Sequence, residues 1–93
     1  MGEVNNWSVE LRADNPKAKE LDLVIALDYL RIYCEGAQNV RKNGAIVAHP
    51  RTGAPIENPY FVIVIKAGQS LSKLRSLKLD RVLALMEASS HSE

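Results

Sequence analysis

The sequence predicts a mainly α-helical fold: an antiparallel helical hairpin with a short β-hairpin flap between its two helices, plus a short C-terminal helix. Residues 19–42 are rich in good helix formers and have no glycine before Gly36. Residues 44–57 contain glycine and proline, which favour turns. Asn58 and Pro59 then mark the start of a second helix, because asparagine caps a first helical turn and proline suits the next position.

Length and composition indicate a single small domain over residues 1–93 with an aliphatic core, since aromatic residues make up only 5% of the chain. The one cysteine, Cys34, cannot form an internal disulfide, and the chain has only two histidines. We therefore expect no metal site and no cofactor. No apolar run approaches the roughly 18 residues of a membrane helix, and the N-terminus lacks signal-peptide character. A soluble, cytoplasmic protein without a membrane partner is the expectation.

Residues 1–18 are predicted to form a polar arm, extended or partly ordered, that Trp7 anchors to the body of the protein. The helix that follows at residues 19–42 is apolar on two sides. Its core face has 3–4 spacing and consists of Leu23, Leu27, Leu30, Cys34 and Ala37. The second apolar side consists of Leu21, Val24, Ile25 and Ile32. We expect another copy of the chain to cover that second side. The alternative is that the arm and the last helix cover both sides.

The flap at residues 44–57 is predicted as two short strands around a turn, beginning where Gly44 ends the first helix. The second helix is predicted at residues 58–77. Local signals conflict within it, because residues 60–65 are all aromatic or β-branched and would also suit a strand. The cap and the helical spacing of the following apolar residues favour a helix.

A last helix is predicted at residues 80–89, with Asp80 as its N-cap and a frayed tail after it.

The net charge of +1 conceals an uneven distribution. Residues 1–40 have four basic and seven acidic side chains, residues 41–81 have eight basic and two acidic ones, and residues 82–93 have two acidic ones. A basic second half suits a nucleic-acid partner. It equally suits head-to-tail association, in which the acidic half of one copy meets the basic half of the next.

The candidate nucleic-acid-binding residues are seven of the eight cations in residues 41–81, since each could contact a phosphate and contribute a salt-dependent increment of affinity. They are Arg41, Lys42, Arg51, Lys66, Lys73, Arg75 and Lys78. For each of them the alternative is an ordinary solvated charge. No aromatic residue is interleaved with them and no recognition helix is evident, so neither single-strand stacking nor base-specific recognition is predicted.

The sequence shows no pattern typical of a catalytic site. Its glycines are isolated and form no phosphate-binding loop. Cys34 lies on the apolar face of the first helix, where a buried structural thiol is expected rather than a nucleophile. His49 stands in the flap without a carboxylate partner at helical spacing. We therefore expect a protein that is not an enzyme.

The order of several residues resembles the small subunit of phage terminase, in the branch with a mid-chain Asn-Pro and a helix–flap–helix core. These residues are Asp22, Tyr33, Cys34, Gly44, Gly53, Asn58, Pro59, Ala67, Leu71 and Leu77. The resemblance covers residues 20–80. Where the family usually has Gly-Leu-Thr-Pro followed by Ser-Arg, this chain has Lys78-Leu79-Asp80-Arg81. The family also tends to have more helix ahead of the position of Asp22.

The resemblance implies a role in viral DNA packaging within the host cytoplasm. Such subunits assemble into homo-oligomeric rings, bind double-stranded DNA and deliver it to a large terminase subunit that has the ATPase and nuclease activities. The small subunit itself has no catalytic residues. The competing hypothesis is a small helical protein-interaction or regulatory module that does not bind DNA.

Overall fold

The computed structural model describes residues 7–90, and within that range the chain has four helices and one two-stranded sheet. In chain order these elements are α1 (Trp7–Asp14), α2 (Glu20–Asn43), β1 (Ile46–Ala48), β2 (Pro55–Glu57), α3 (Pro59–Ser72) and α4 (Asp80–Ser90). The predicted mainly α fold, with a β-hairpin between two helices and a short C-terminal helix, is confirmed. Residues 1–6 of the predicted arm and 91–93 of the predicted tail lie outside the described residues.

Helices α2 and α3 form the antiparallel hairpin, and two glycines allow them to approach closely. Gly36 on α2 faces Tyr60 and Val64 near the start of α3, whereas Gly68 near the end of α3 faces Tyr33, which comes earlier on α2. The contacts therefore run in opposite directions along the two helices. At Gly36 the approach is so close that an added Cβ would lie 2.6 Å from Cγ2 of Val64.

Asn58 joins the hairpin to its flap. Its Oδ1 accepts the backbone N–H of Tyr60 (2.9 Å), which confirms the predicted cap and the helical state of residues 60–65. Its Nδ2 donates to the Oδ1 of Asn39 (2.9 Å) and to the carbonyl of Gly44 (2.8 Å). The side chain is 2% exposed and uses both of its polar atoms. One residue thus holds the end of α2, the base of the flap and the start of α3 together.

The flap consists of β1 and β2, which pair antiparallel with Val47 opposite Ile56. At the connecting turn, Nδ1 of His49 accepts the backbone N–H of Arg51 (3.0 Å). Gly53 has a φ of 73°, a left-handed conformation that glycine adopts without steric cost. The flap connects α2 to α3, so this small two-stranded ribbon lies at the end of the hairpin where the two helices are joined.

The hydrophobic core lies at the other end of the hairpin, where α1 and α4 pack on α2. Leu11, Leu30 and Val82, one from each of these helices, are the largest side chains that are fully buried. Cys34 belongs to this core, as the sequence predicted. The four core positions predicted on α2 before Ala37 are all buried there. The core is thus shared by three helices, and the flap end of the hairpin extends beyond it.

Over residues 7–14 the chain forms helix α1 and not the extended or partly ordered arm that the sequence predicted. Leu11 is 1% exposed in the core and Trp7 packs against the same cluster. Asn15, just after the helix, donates to the carbonyl of Lys78 (2.9 Å) and accepts the backbone N–H of Lys78 (2.7 Å). An isolated helix of 8 residues is not stable in water. These tertiary contacts are what stabilise it.

The second hairpin helix ends at Ser72, five residues before the predicted end at residue 77. The chain then makes short turns in which Leu74 donates to the carbonyl of Leu71 and Leu77 to that of Leu74. Leu74, Leu77 and Leu79 pack against the core, which a continued straight helix would not allow. Helix α4 begins at Asp80 itself, so Asp80 is a first-turn residue and not the flanking N-cap.

The molecule is elongated, with principal extents of 50 × 33 × 18 Å. Its radius of gyration is 15.3 Å, whereas a compact chain of this size would have about 12 Å. Much of the hairpin is therefore exposed to solvent on more than one side.

Candidate nucleic-acid interface

All seven predicted cations are on the surface of the protein. The ion pairs found among residues 7–90 involve two other cations, Arg12 with Glu20 and Arg81 with Glu10 and Asp14. The predicted set is therefore not neutralised by carboxylates of the described chain. Exposed ammonium and guanidinium groups of this kind are what a phosphate backbone contacts.

The structure does not bring the seven cations together into one stripe. Arg41 and Lys42 lie in the last turn of α2, and Arg51 lies in the turn of the flap. We call these three residues the flap cluster. The segment of residues 73–78 begins at the other end of α3 and reaches the start of α2. Since α2 alone is about 36 Å long, the two ends of the predicted set are far apart. Lys66 lies between them on α3.

A second basic cluster forms where the α1–α2 connection meets the α3–α4 connection. Lys17 and Lys19 line one cleft together with Lys78, and Arg75 lines an adjacent cleft that Lys78 also borders. We call these four residues the loop cluster. The paired hydrogen bonds between Asn15 and the backbone of Lys78 hold the two connections in place. Only backbone atoms of Lys78 take part in those bonds, and its ammonium group forms no ion pair with residues 7–90.

Sequence reasoning missed Lys17 and Lys19. They fall in the acidic first half of the chain, and Asn15 and Lys78 are 63 residues apart in sequence. No local signal connects the two segments. Asp14 and Asp22 also line the cleft, but the carboxylate of Asp14 already accepts hydrogen bonds from Arg81.

Arg81 has a structural role. Its Nε donates to Asp14 (2.9 Å), and its Nη2 donates to Oε1 of Glu10 (2.8 Å). The hydrogen bond to Asp14, followed by that to Glu10, raises the pKa of Arg81 above its ordinary value. The side chain thus connects α4 to α1 through two carboxylates, and we do not include it among the DNA-binding candidates.

Cys34 is the one cysteine of the chain, and it is buried. Burial raises the pKa of the Cys34 thiol to about 11, the charge of Glu87 adds to this, and Arg41 opposes it. The thiol is therefore neutral at physiological pH and a poor nucleophile. Within residues 7–90 no three His, Cys, Asp or Glu side chains are grouped as a metal site. Over the same range, no helix has the length and apolar character needed to span a bilayer.

Exposed apolar side chains occupy both hairpin helices. On α2, Leu21 is 67% exposed, and Ile25 and Ile32 are also exposed. On α3, Val62, Ile63 and Ile65 are exposed. Helices α1 and α4 leave the second apolar side of α2 open, so the alternative in which they cover it does not hold for the described residues. Surfaces of this kind mark sites of protein association.

No protein-family model, curated protein or solved structure matches this chain.

Proposed function

We propose that this chain is the small subunit of a phage terminase: an oligomeric adaptor that binds viral DNA and presents it to a large subunit with ATPase and nuclease activities. The observation that carries the DNA-binding part is the loop cluster, whose four cations line two adjacent clefts and form no ion pair among residues 7–90. The helix–flap–helix architecture and the order of residues along it support the terminase assignment.

The chemistry of the two clusters suits the phosphate backbone rather than the bases. Lysine and arginine side chains on connecting segments reach phosphate oxygens and release counterions, which gives affinity without sequence preference. Three lysines of the loop cluster, Lys17, Lys19 and Lys78, line one cleft. The expected binding is therefore to duplex DNA of any sequence, and it weakens steeply with salt.

Assembly into an oligomer increases the number of phosphate contacts and therefore the affinity for DNA. One copy presents only a few phosphate contacts, so a single copy binds weakly. An oligomer presents the same clusters repeatedly, and each bound copy raises the effective concentration of the next. The exposed apolar faces of α2 and α3 supply the surface that such an oligomer needs.

The test is the binding of a labelled 30-base-pair duplex, followed by fluorescence anisotropy between about 50 and 200 mM salt. Replacing Lys17 and Lys78 by Gln removes two candidate phosphate contacts. The slope of log K against log salt should fall in magnitude by about 1.8 for each copy that contacts the duplex, because each contact contributes about 0.9. The matched control replaces Arg12 and Arg31 by Gln, which changes the net charge equally outside both clusters and should leave the slope nearly unchanged.

Three results would count against the proposal. An affinity that does not depend on salt would remove the phosphate contacts. An equal effect of the cluster variant and the control would show that only net charge matters. An assembled protein that binds no duplex at all would favour the interaction-module hypothesis. Co-purification with the large subunit tests the packaging role separately.

A further inference from the structure

The exposed side of α2 has a regular pattern. Leu21, Ile25, Asp28, Ile32 and Glu35 follow one another at intervals of four, three, four and three residues, and all five are exposed. This spacing places them in one row along the helix, as in the seam of a coiled coil. We call this row the α2 stripe. It combines isoleucine and leucine with two carboxylates, neither of which has an ion-pair partner among residues 7–90.

The exposed side of α3 has a corresponding row. Val62, Lys66, Gln69 and Lys73 follow at intervals of four, three and four residues, and all are exposed. Lys73 follows the last residue of α3 and has right-handed helical dihedral angles, so it continues the row. We call this row the α3 stripe. The opposite side of α3 carries Ala67, which is 2% exposed, so the α3 stripe points away from α2 of the same chain.

The charges of the two stripes are opposite in sign and equally spaced. Asp28 and Glu35 are seven residues apart, as are Lys66 and Lys73. Seven residues correspond to about 10.5 Å along a helix in both cases. When the two helices lie parallel, Asp28 meets Lys66 and Glu35 meets Lys73 at the same time.

The equal spacing lets the charges pair in either orientation of the two helices. A parallel contact pairs Asp28 with Lys66, and an antiparallel contact pairs Asp28 with Lys73. In both cases the exposed Ile25 and Ile32 of the α2 stripe flank the ion pairs. The charges therefore define which two surfaces meet.

We propose that copies of this chain associate head to tail, with the α2 stripe of one copy packed against the α3 stripe of the next. Contacts between two α2 stripes would bring carboxylates together, and contacts between two α3 stripes would bring ammonium groups together, both of which are unfavourable. Because the two surfaces differ, each copy retains one free stripe of each kind, and addition continues until a ring closes or a filament forms.

This inference rests on the assembly part of the proposed function and specifies its contact. It also changes the assignment of two predicted DNA-binding residues. Lys66 and Lys73 are covered by the neighbouring copy, whereas the flap cluster and the loop cluster stay free for DNA.

Charge reversal tests the contact. One variant has Asp28→Lys and Glu35→Lys, and the other has Lys66→Glu and Lys73→Glu. All four side chains are exposed, so the fold should be retained, which circular dichroism checks. Mass in solution is measured by light scattering and native mass spectrometry. Each variant alone should dissociate, with the dissociation constant of the contact rising about 100-fold or more, because like charges then face each other.

Two combinations restore opposite charges. An equimolar mixture of the two variants should assemble again, with the variants alternating and an even number of copies in every closed particle. A single chain with all four reversals should assemble by itself. A contact between two α2 stripes predicts instead that the variant with Lys66→Glu and Lys73→Glu assembles as the wild type does. Glu57→Lys on the flap is the control and should leave the mass of the wild-type assembly unchanged.

Normal assembly of either variant alone, or no recovery in the mixture and the fourfold variant, would overturn the inference. So would a wild-type chain that stays monomeric at high micromolar concentration. The outcomes are separable from those for DNA binding. Reversals without effect on mass, in a wild type that binds duplex DNA in a salt-dependent way, would remove this contact and leave the proposed function. Recovery of assembly in the mixture, without any binding to duplex DNA, would support this contact and remove the proposed DNA-binding function.

Discussion

The close approach of α2 and α3 at Gly36 predicts that Gly36→Ala and Gly68→Ala change the free energy of unfolding in opposite directions. Changing a helical glycine to alanine stabilises a helix by about 1 kcal/mol. At Gly36, however, the new methyl group would lie 2.6 Å from Cγ2 of Val64, closer than any real contact. At Gly68 it would lie 3.5 Å from the Tyr33 ring, an ordinary contact distance.

Overpacking a well-packed site costs about 1–3 kcal/mol. Valine in a helix has one strongly preferred rotamer, so Val64 cannot easily turn its methyl group away. The net effect of Gly36→Ala should therefore be a loss of about 1 kcal/mol, whereas Gly68→Ala should gain nearly the full ~1 kcal/mol of helix propensity. The two variants should differ by about 2 kcal/mol, or about 8–16 °C in melting temperature.

The assay is urea unfolding of both variants and the wild type at one fixed protein concentration, since assembly contributes to apparent stability. Val64→Ala provides the decisive background, because it removes the methyl group that Gly36→Ala meets. In that background Gly36→Ala should become stabilising, with a coupling energy of about 2 kcal/mol. If Gly36→Ala stabilises the protein in both backgrounds, the helices are not as closely packed as described and the reasoning fails.

Three further predictions concern buried groups. Asn58→Ala should lower the free energy of unfolding by about 2–3 kcal/mol in urea, because it removes a helix cap together with the hydrogen bonds to Asn39 and to the carbonyl of Gly44. Asn15→Ala should cost about 1–3 kcal/mol and raise amide hydrogen exchange in α1 more than in α3, because the link to Lys78 is lost. For Cys34, unfolding frees a thiol of ordinary pKa near 9, while the folded pKa is about 11. Stability should therefore fall as the pH rises from 9 to 11, less so in Cys34→Ala, and native-state thiol labelling at pH 8 should be slow until urea is added.

The features that sequence reasoning predicted correctly are the ones encoded within a few residues. Asn58 and Pro59 mark the start of α3 because capping is a local interaction. The same cap explains why residues 60–65 are helical despite their strand propensity, because they follow the start of α3 and this helix packs on α2. The surplus apolar side of α2 was predictable for the same reason, since it follows from spacing within one helix.

The features that were missed depend on contacts between distant segments. Helix α1 looks like a polar arm until Leu11 is placed in the core between α2 and α4. The end of α3 at Ser72 depends on three later leucines that turn into the same core. The loop cluster needs Lys17 beside Lys78, which Asn15 brings about and which no local pattern indicates.

The bond between Asn15 and Lys78 also orders events during synthesis. Helices α1 and α2 are made one after the other, but Lys78 follows Asn15 by 63 residues. At about 5–20 residues per second, Asn15 waits roughly 3–13 s for its partner. During that interval Leu11 can pack only against α2, because Val82 and Met86 of α4 have not yet been made.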